Sequence, residues 1–278
     1  MSLSINSNSS ALAILQSLTS TSGQLTQTEG QVSSGLQIQT ASDNPAVYNL
    51  AQTQRADIAN LASVTTGLGR AQSIADVAVS AGQTVSDLLT QIQAKVLAAN
   101  DPTQDANSIA AYNSDFQSLL KQIQTTLQSA SFGGINLLNG SVTNGVSFMA
   151  TADASSYLTI QSQNLSLGGT LITLPAGGNI LTPTAAASAL SEVQSSITNV
   201  NHAVATLGTQ SNQVQTHASF VATLSDNLTT GVSGLVDADV AAESARLTAL
   251  QVQQQLSTQT LSIANQQPSV ILTLLRGG

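Results

Sequence analysis

The strongest constraint on this chain is a run of small and aliphatic residues between Ile58 and Val96. Leu61, Val64, Leu68, Ala71, Ala75, Ala78, Gly82, Val85, Leu89, Ile92 and Val96 fall at alternating steps of three and four. An α-helix turns once every ~3.6 residues, so this spacing sets them along one seam that a second helix must cover. Ala and Gly in the middle of the seam let that neighbour approach closely. A matching seam runs through Leu190, Val193, Ile197, Val200, Val204 and Leu207, then Ser211, Val214, Ala218, Val221, Ser225 and Leu228. Ile109, Tyr112, Phe116, Leu119 and Ile123 mark one face of a third helix over 104–129. Asn100-Asp101-Pro102 separates it from the first. Residues 58–140 and 184–234 therefore predict a helical bundle.

The stretch between those blocks changes period. After the glycine-punctuated turn Phe132 to Gly140, Val146/Phe148 and Leu158/Ile160 alternate with polar residues. Leu165/Leu167 and Leu171 to Leu174 do the same, with Gly168-Gly169 and Gly177-Gly178 at the bends. A period of two predicts short strands, so 141–183 reads as a small β-hairpin insert facing outward.

The two ends carry weaker patterns. Residues 4–37 read as a helix with Ala11, Leu15, Leu18, Leu25, Val32 and Leu36 on one stripe, interrupted at Ser22 and Glu29. The last forty residues open on Asp237 and Asp239, which suit a helix N-cap and its dipole. They then show two apolar stripes. One is Leu247, Leu250 and Leu261; the other is Val252, Leu256, Ile263 and Val270. A helix outside a globule needs one apolar face, so two imply more than one neighbouring helix. Chain ends ordinarily fray. The neighbours expected here are the opposite terminus and further copies of the same chain. The expected assembly interface is Leu15, Leu18, Leu25 and Val32 with Leu247, Leu250, Val252, Leu256, Leu261 and Ile263.

Gly35 and Ser42-Asp43-Asn44-Pro45 break the helical pattern, so 38–57 reads as a spoke between the terminal helix 1–37 and the bundle. Gly231 and Gly234 are expected to lead into the terminal helix 237–278. The fold class is mainly α: an elongated helical bundle, paired N- and C-terminal coiled-coil helices, and the hairpin insert. The order is near-palindromic, which requires the two ends to meet.

Composition removes most other functions. A net charge of −8 is wrong for a nucleic-acid partner, and six scattered Lys and Arg form no membrane-surface patch. No apolar stretch reaches the length of a membrane span, so no membrane insertion is expected. Absence of Cys excludes a disulfide framework. Met-Ser-Leu-Ser-Ile-Asn has neither a basic region nor an apolar core, so export without a cleaved signal peptide is expected. With 7% charged residues, the long uncharged polar faces suit close packing between copies, where charge is costly to dehydrate. Catalytic, cofactor and metal sites are all expected to be absent. Capping and dipole effects account for Asp237, Asp239 and Glu243. His202 and His217 lie about 22 Å apart along one helix, too far to share a ligand. Gly133-Gly134 lacks the Lys-Ser/Thr of a phosphate loop.

Several motifs in order resemble bacterial flagellin. They are Asn8-Ser9-Ser10-Ala11-Leu12, Ser34-Gly35-Leu36-Gln37-Ile38 with Ala41-Ser42-Asp43-Asn44, and the Phe132–Gly140 turn, where Gly133 replaces the usual Asn. At the other end stand Asp237-x-Asp239…Glu243, Leu261-Ser262-Ile263-Ala264-Asn265-Gln266-Gln267-Pro268 and Leu274-Leu275-Arg276. The resemblance covers 1–140 and 184–276, and the short middle is similar to compact flagellins without outer variable domains. It implies a non-enzymatic subunit that polymerises into a hollow motility filament, with the terminal helices as inner tube and the bundle as wall. It also implies export through the flagellum's own channel, a chaperone on the C-terminal helix, and contacts with hook-associated and cap proteins. Flagellins sensed by the vertebrate innate receptor carry an Arg-rich patch on the first long bundle helix. Here Ser86 to Val96 offers Gln91, Gln93 and Lys95, so weak activation is expected. The alternatives are the hook–filament junction protein, towards which Asp43-Asn44-Pro45 leans, and a secreted enzyme or adhesin on a helical scaffold.

Overall fold

The computed structural model describes residues 8–276, with side chains over 8–266. The helix start expected at residue 4 lies outside the described residues, as do the side chains of Val270 and Leu274-Leu275-Arg276. Among the described residues the chain forms five helices and one two-stranded sheet. They are α1 (Ser9–Ser34), α2 (Pro45–Ala99), α3 (Ala106–Ser129), β1 (Val146–Met149), β2 (Tyr157–Ile160), α4 (Pro183–Val236) and α5 (Val240–Arg276). The chain divides into two compact units, 57–227 and the joined ends 1–56 with 228–278. Helices α2 and α4 contribute to both.

In the 57–227 unit the predicted seams are the core. All eleven positions from Leu61 to Val96 are buried, as are Val193, Val200, Leu207, Val214 and Val221 on α4. Gly82 marks the closest approach: a Cβ there would lie 2.7 Å from Val204 Cγ2. Polar pairs fix the register, Gln72 Nε2 donating to Ser211 Oγ at 2.7 Å and Ser86 Oγ to Asn201 Oδ1 at 2.8 Å. On α3 the buried face is Phe116, Leu120, Ile123 and Leu127. Ile109, Tyr112 and Leu119 are only half-buried, so the true face lies rotated from the expected one.

The insert holds one hairpin rather than several. β1 and β2 pair antiparallel, with Val146 opposite Ile160 and Phe148 opposite Leu158. Leu165, Leu167 and Leu171 to Leu174 form no strands; Leu167 and Ile172 share an isolated bridge. The reason is that helix side chains supply the bonds a partner strand would have made. Ser196 Oγ accepts from Thr173 N at 3.2 Å, and Asn199 Nδ2 donates to the Leu171 carbonyl at 3.2 Å. Asn113 Oδ1 accepts from Ile180 N at 2.9 Å, and Gln210 Oε1 from Gln161 N at 3.0 Å. So pinned, the irregular segment buries Leu165, Ile172, Leu174 and Ile180.

In the unit of joined ends, the spoke is shorter than expected. Helix α2 begins at Pro45, inside the stretch 38–57 read as a linker. Asn44 is its cap, Oδ1 accepting from Val47 N at 3.2 Å. Proline at a first helical position loses no helix bond, because that N–H would be unpaired anyway. The Asn-Pro pair thus starts a helix rather than only breaking one. Just before it, Asp43 Oδ2 accepts from Thr40 N at 2.9 Å and Gln39 N at 3.0 Å. Those bonds, Thr40 first, hold its carboxyl below the ordinary range. Likewise α4 continues through Gly231 and Gly234 to Val236, past the expected exit.

Candidate assembly surface

The joined ends are built from α1 and α5, which pack on each other. Asn8 caps α1, its Oδ1 accepting from Ala11 N at 3.1 Å. Gly35 closes it in the left-handed conformation at φ 70, its N–H bonding the Gln31 carbonyl at 2.9 Å. Asp239 caps α5, with Oδ1 3.1 Å from both Ala241 N and Ala242 N. Gln37 N bonds the Val236 carbonyl at 2.7 Å, and Ala238 N the Gly35 carbonyl at 2.8 Å. At the far end Asn8 Nδ2 donates to the Ala264 carbonyl at 2.8 Å. The end of α1 therefore meets the start of α5, and the pair is antiparallel.

The covered side of α1 is Ala11, Ile14, Leu18, Thr21, Leu25, Thr28 and Val32, again at steps of three and four. Ser22 and Glu29, read as interruptions of the seam, are exposed and off it. Threonine takes those places because one β-branched methyl face can pack in a seam of mixed polarity. The covered side of α5 is Glu243, Leu247, Leu250, Gln254, Ser257, Leu261 and Ala264. Of the ten predicted interface residues, Leu18, Leu25, Val32, Leu247, Leu250 and Leu261 are thus at least half-buried. Leu15 is 49% exposed, Val252 50%, Leu256 62% and Ile263 58%. Leu12, at 62%, joins Leu15 on the open side and was not singled out from sequence. Its three-residue step from Leu15 was the available signal.

The open sides are almost free of charge. Helix α1 carries only Glu29, and no ionisable residue lies between Leu247 and Gln266. Hydroxyls are turned inward: Thr19 and Thr26 on α1, and Thr248 and Thr260 on α5, each donate to the carbonyl four residues back at 2.7–3.1 Å. A hydroxyl already bonded to its own helix can leave water without losing its partner. Such a surface can be dried by a neighbouring helix at small polar cost.

Glu243 lies in the first turn of α5, 3.9 Å from Arg246. Both histidines ride on α4, and His217 Nε2 lies 2.7 Å from the Ala150 carbonyl. Among the described residues there is no group of three His, Cys, Asp or Glu able to hold a metal. No helix there is long and apolar enough to cross a membrane.

A helix pair closed on one side and left apolar on the other suits a structural subunit. Comparison with known proteins gives the family. Residues 5–143 match the bacterial flagellin N-terminal helical region, and 190–275 match the bacterial flagellin C-terminal helical region. Flagellin FljJ of Caulobacter vibrioides is 43% identical over 100% of both chains. Flagellin C of Rhizobium meliloti is 35% identical over 98% of this chain and 99% of its own. The chain belongs to the bacterial flagellin family and is a structural subunit of the flagellar filament. In fold it resembles Bacillus cereus flagellin, with a TM-score of 0.50 at 17% identity over 56% of this chain and 88% of the other. A putative flagellar hook-associated protein from Vibrio parahaemolyticus gives 0.58 at 11% identity, over 70% of this chain and 100% of its own. That likeness is one of fold alone, whereas end-to-end sequence matches are to flagellins, so the junction-protein reading is not favoured.

Proposed function

We propose that the ten interface residues divide into two tasks within the filament. Leu18, Leu25, Val32, Leu247, Leu250 and Leu261 hold α1 on α5. Leu15, Val252, Leu256 and Ile263, with Leu12, receive helices of neighbouring copies and build the inner tube, with the bundle as its wall. The observation that carries this reading is the exposure of Val252, Leu256 and Ile263 along one uncharged stripe. Burying each releases on the order of 1–2 kcal/mol, multiplied over every copy. Changing Leu256→Asp together with Val252→Asp places charges in that stripe. Seeded polymerisation followed by electron microscopy should give no filaments, with monomer helicity unchanged; filaments of ordinary length would overturn the assignment.

The subunit's role is structural and non-catalytic in this reading. It travels to the filament through the flagellum's own channel rather than by a cleaved signal peptide. A chaperone covers the α5 stripe before assembly, and hook-associated and cap proteins meet the filament ends. The family resemblance and the uncovered stripe support these partners. For the innate receptor, Lys95 at 2.8 Å from Asp115 is the lone cation among residues 86–96. Reporter cells given monomer should respond weakly; a full response would refute that expectation.

A further inference from the structure

The sequence holds two Asn-Gly pairs, Asn139-Gly140 and Asn144-Gly145, at opposite ends of one short loop before β1. Asn-Gly is the most labile setting for an asparagine amide, because glycine leaves the following main-chain nitrogen free to approach it. The two pairs are held very differently. Asn139 Oδ1 accepts from Ser141 N at 2.9 Å and Ser141 Oγ at 2.6 Å. Its own N–H bonds Asn136 Oδ1 at 3.1 Å, and its carbonyl accepts from Ser166 Oγ at 3.2 Å. Asn144 is exposed, and its side-chain amide has no hydrogen-bond partner among the described residues. The main-chain nitrogens of Gly140 and Gly145 are alike in having none there, so the difference between the pairs lies in how the asparagines are held.

We propose that Asn144 is a site of spontaneous deamidation in the folded protein, and that Asn139 is protected by its bonds. The nitrogen of Gly145 attacks Cγ of Asn144 and gives up its proton. The new C–N bond forms as the Cγ–Nδ2 bond breaks, and ammonia leaves. Water then opens the resulting succinimide at either carbonyl, giving aspartate or isoaspartate at position 144. No redox partner is required. Each event adds one negative charge to a chain of net −8. The isoaspartate product also lengthens the main chain by one carbon just before Val146, which pairs with Ile160. Gly145 has little room to absorb this. It sits at φ 75, and a Cβ there would overlap the Ile160 carbonyl oxygen. Deamidation should therefore loosen the start of the hairpin.

The test is peptide mapping by mass spectrometry of the full-length chain held at mildly alkaline pH, native and in denaturant. In the native chain position 144 should convert at least several-fold faster than position 139, with isoaspartate the main product. In denaturant position 139 should catch up. Asn144→Gln should remove the acidic species seen on anion exchange, while Asn139→Gln should leave it. Equal native rates, no native conversion at 144, or a difference that persists in denaturant would each overturn the proposal.

Discussion

The two units apply one helical spacing to different residues. In the 57–227 unit the seam positions of α2 and α4 are mostly Leu, Ile, Val and Ala, broken by Gly82, Ser211 and Ser225, and most of them are buried. In the joined ends the same three-and-four steps pass through Thr21, Thr28, Gln254 and Ser257, and most of their leucines are half-buried. A fully covered leucine contributes roughly 1.5–3 kcal/mol, and a half-covered one about half that. The seams of the first unit are therefore satisfied within one chain, although Leu97, Tyr157, Leu181 and Phe220 stay exposed on it. The second carries a thin internal seam and an open apolar stripe, so under the proposed assembly its stability should rise when copies are present. That division suits the proposed assembly, in which the bundle serves as wall and the joined ends as inner tube.

Several experiments bear on this contrast, beginning with the largest effect. Deleting residues 247–276 should abolish filaments while the remaining bundle keeps its helical circular dichroism. Filaments from the truncated chain would show that the terminal helix is not the assembly element. Next, Leu89→Ala in the bundle core should cost about 3 kcal/mol of monomer stability by denaturant unfolding, as a buried leucine cavity does. Leu25→Ala, at a half-covered seam position of α1, should cost the monomer about half as much or less, and the filament more. Equal monomer losses would erase the distinction between the units. Gly82→Ala drives a methyl into Val204 and should cost about 1–3 kcal/mol, recovered in part by Val204→Ala. Asp239→Ala removes the cap of α5 and should destabilise that helix by about 1 kcal/mol, without touching bundle unfolding.

The smallest effect is acidic. Asp153 lies in the hairpin turn, and the Thr151 hydroxyl, then the Ser155 hydroxyl and N–H, lower its carboxyl from an ordinary 3.8 to about 2. A carboxyl lowered in the folded state stabilises fully above its unfolded value and loses that contribution as pH falls through the folded one. The protection of the Ser155 amide, its exchange rate relative to an unstructured chain at the same pH, should thus stay constant above pH 4 and fall only below it. Protection that already falls near neutral pH would place the cause elsewhere.

Much of this was legible from spacing. The α2 seam was readable position by position, because a buried helix face leaves no freedom over which residues are apolar. The two stripes of α5 were separable too, since Leu247 and Leu250 stand on a different face from Val252 and Leu256. Register on α1 was less clear. Thr21 and Thr28 are polar by composition yet cover the seam, whereas Leu15 is apolar yet open. Both choices depend on which side of α1 meets α5. The strands expected around Leu167 and Leu171 failed for a related reason: alternation marks burial, but the backbone partners came from Ser196 and Asn199 on α4.

By itself, the amino-acid order determined the helices, their caps, the core of the bundle and the presence of a surplus apolar stripe. These follow from local periodicity and from side chains that bond nearby backbone. Only the tertiary structure decided which stripe was covered. Packing α1 antiparallel on α5 uses one side of each helix, and that pairing joins residues more than two hundred positions apart, beyond the reach of any local pattern.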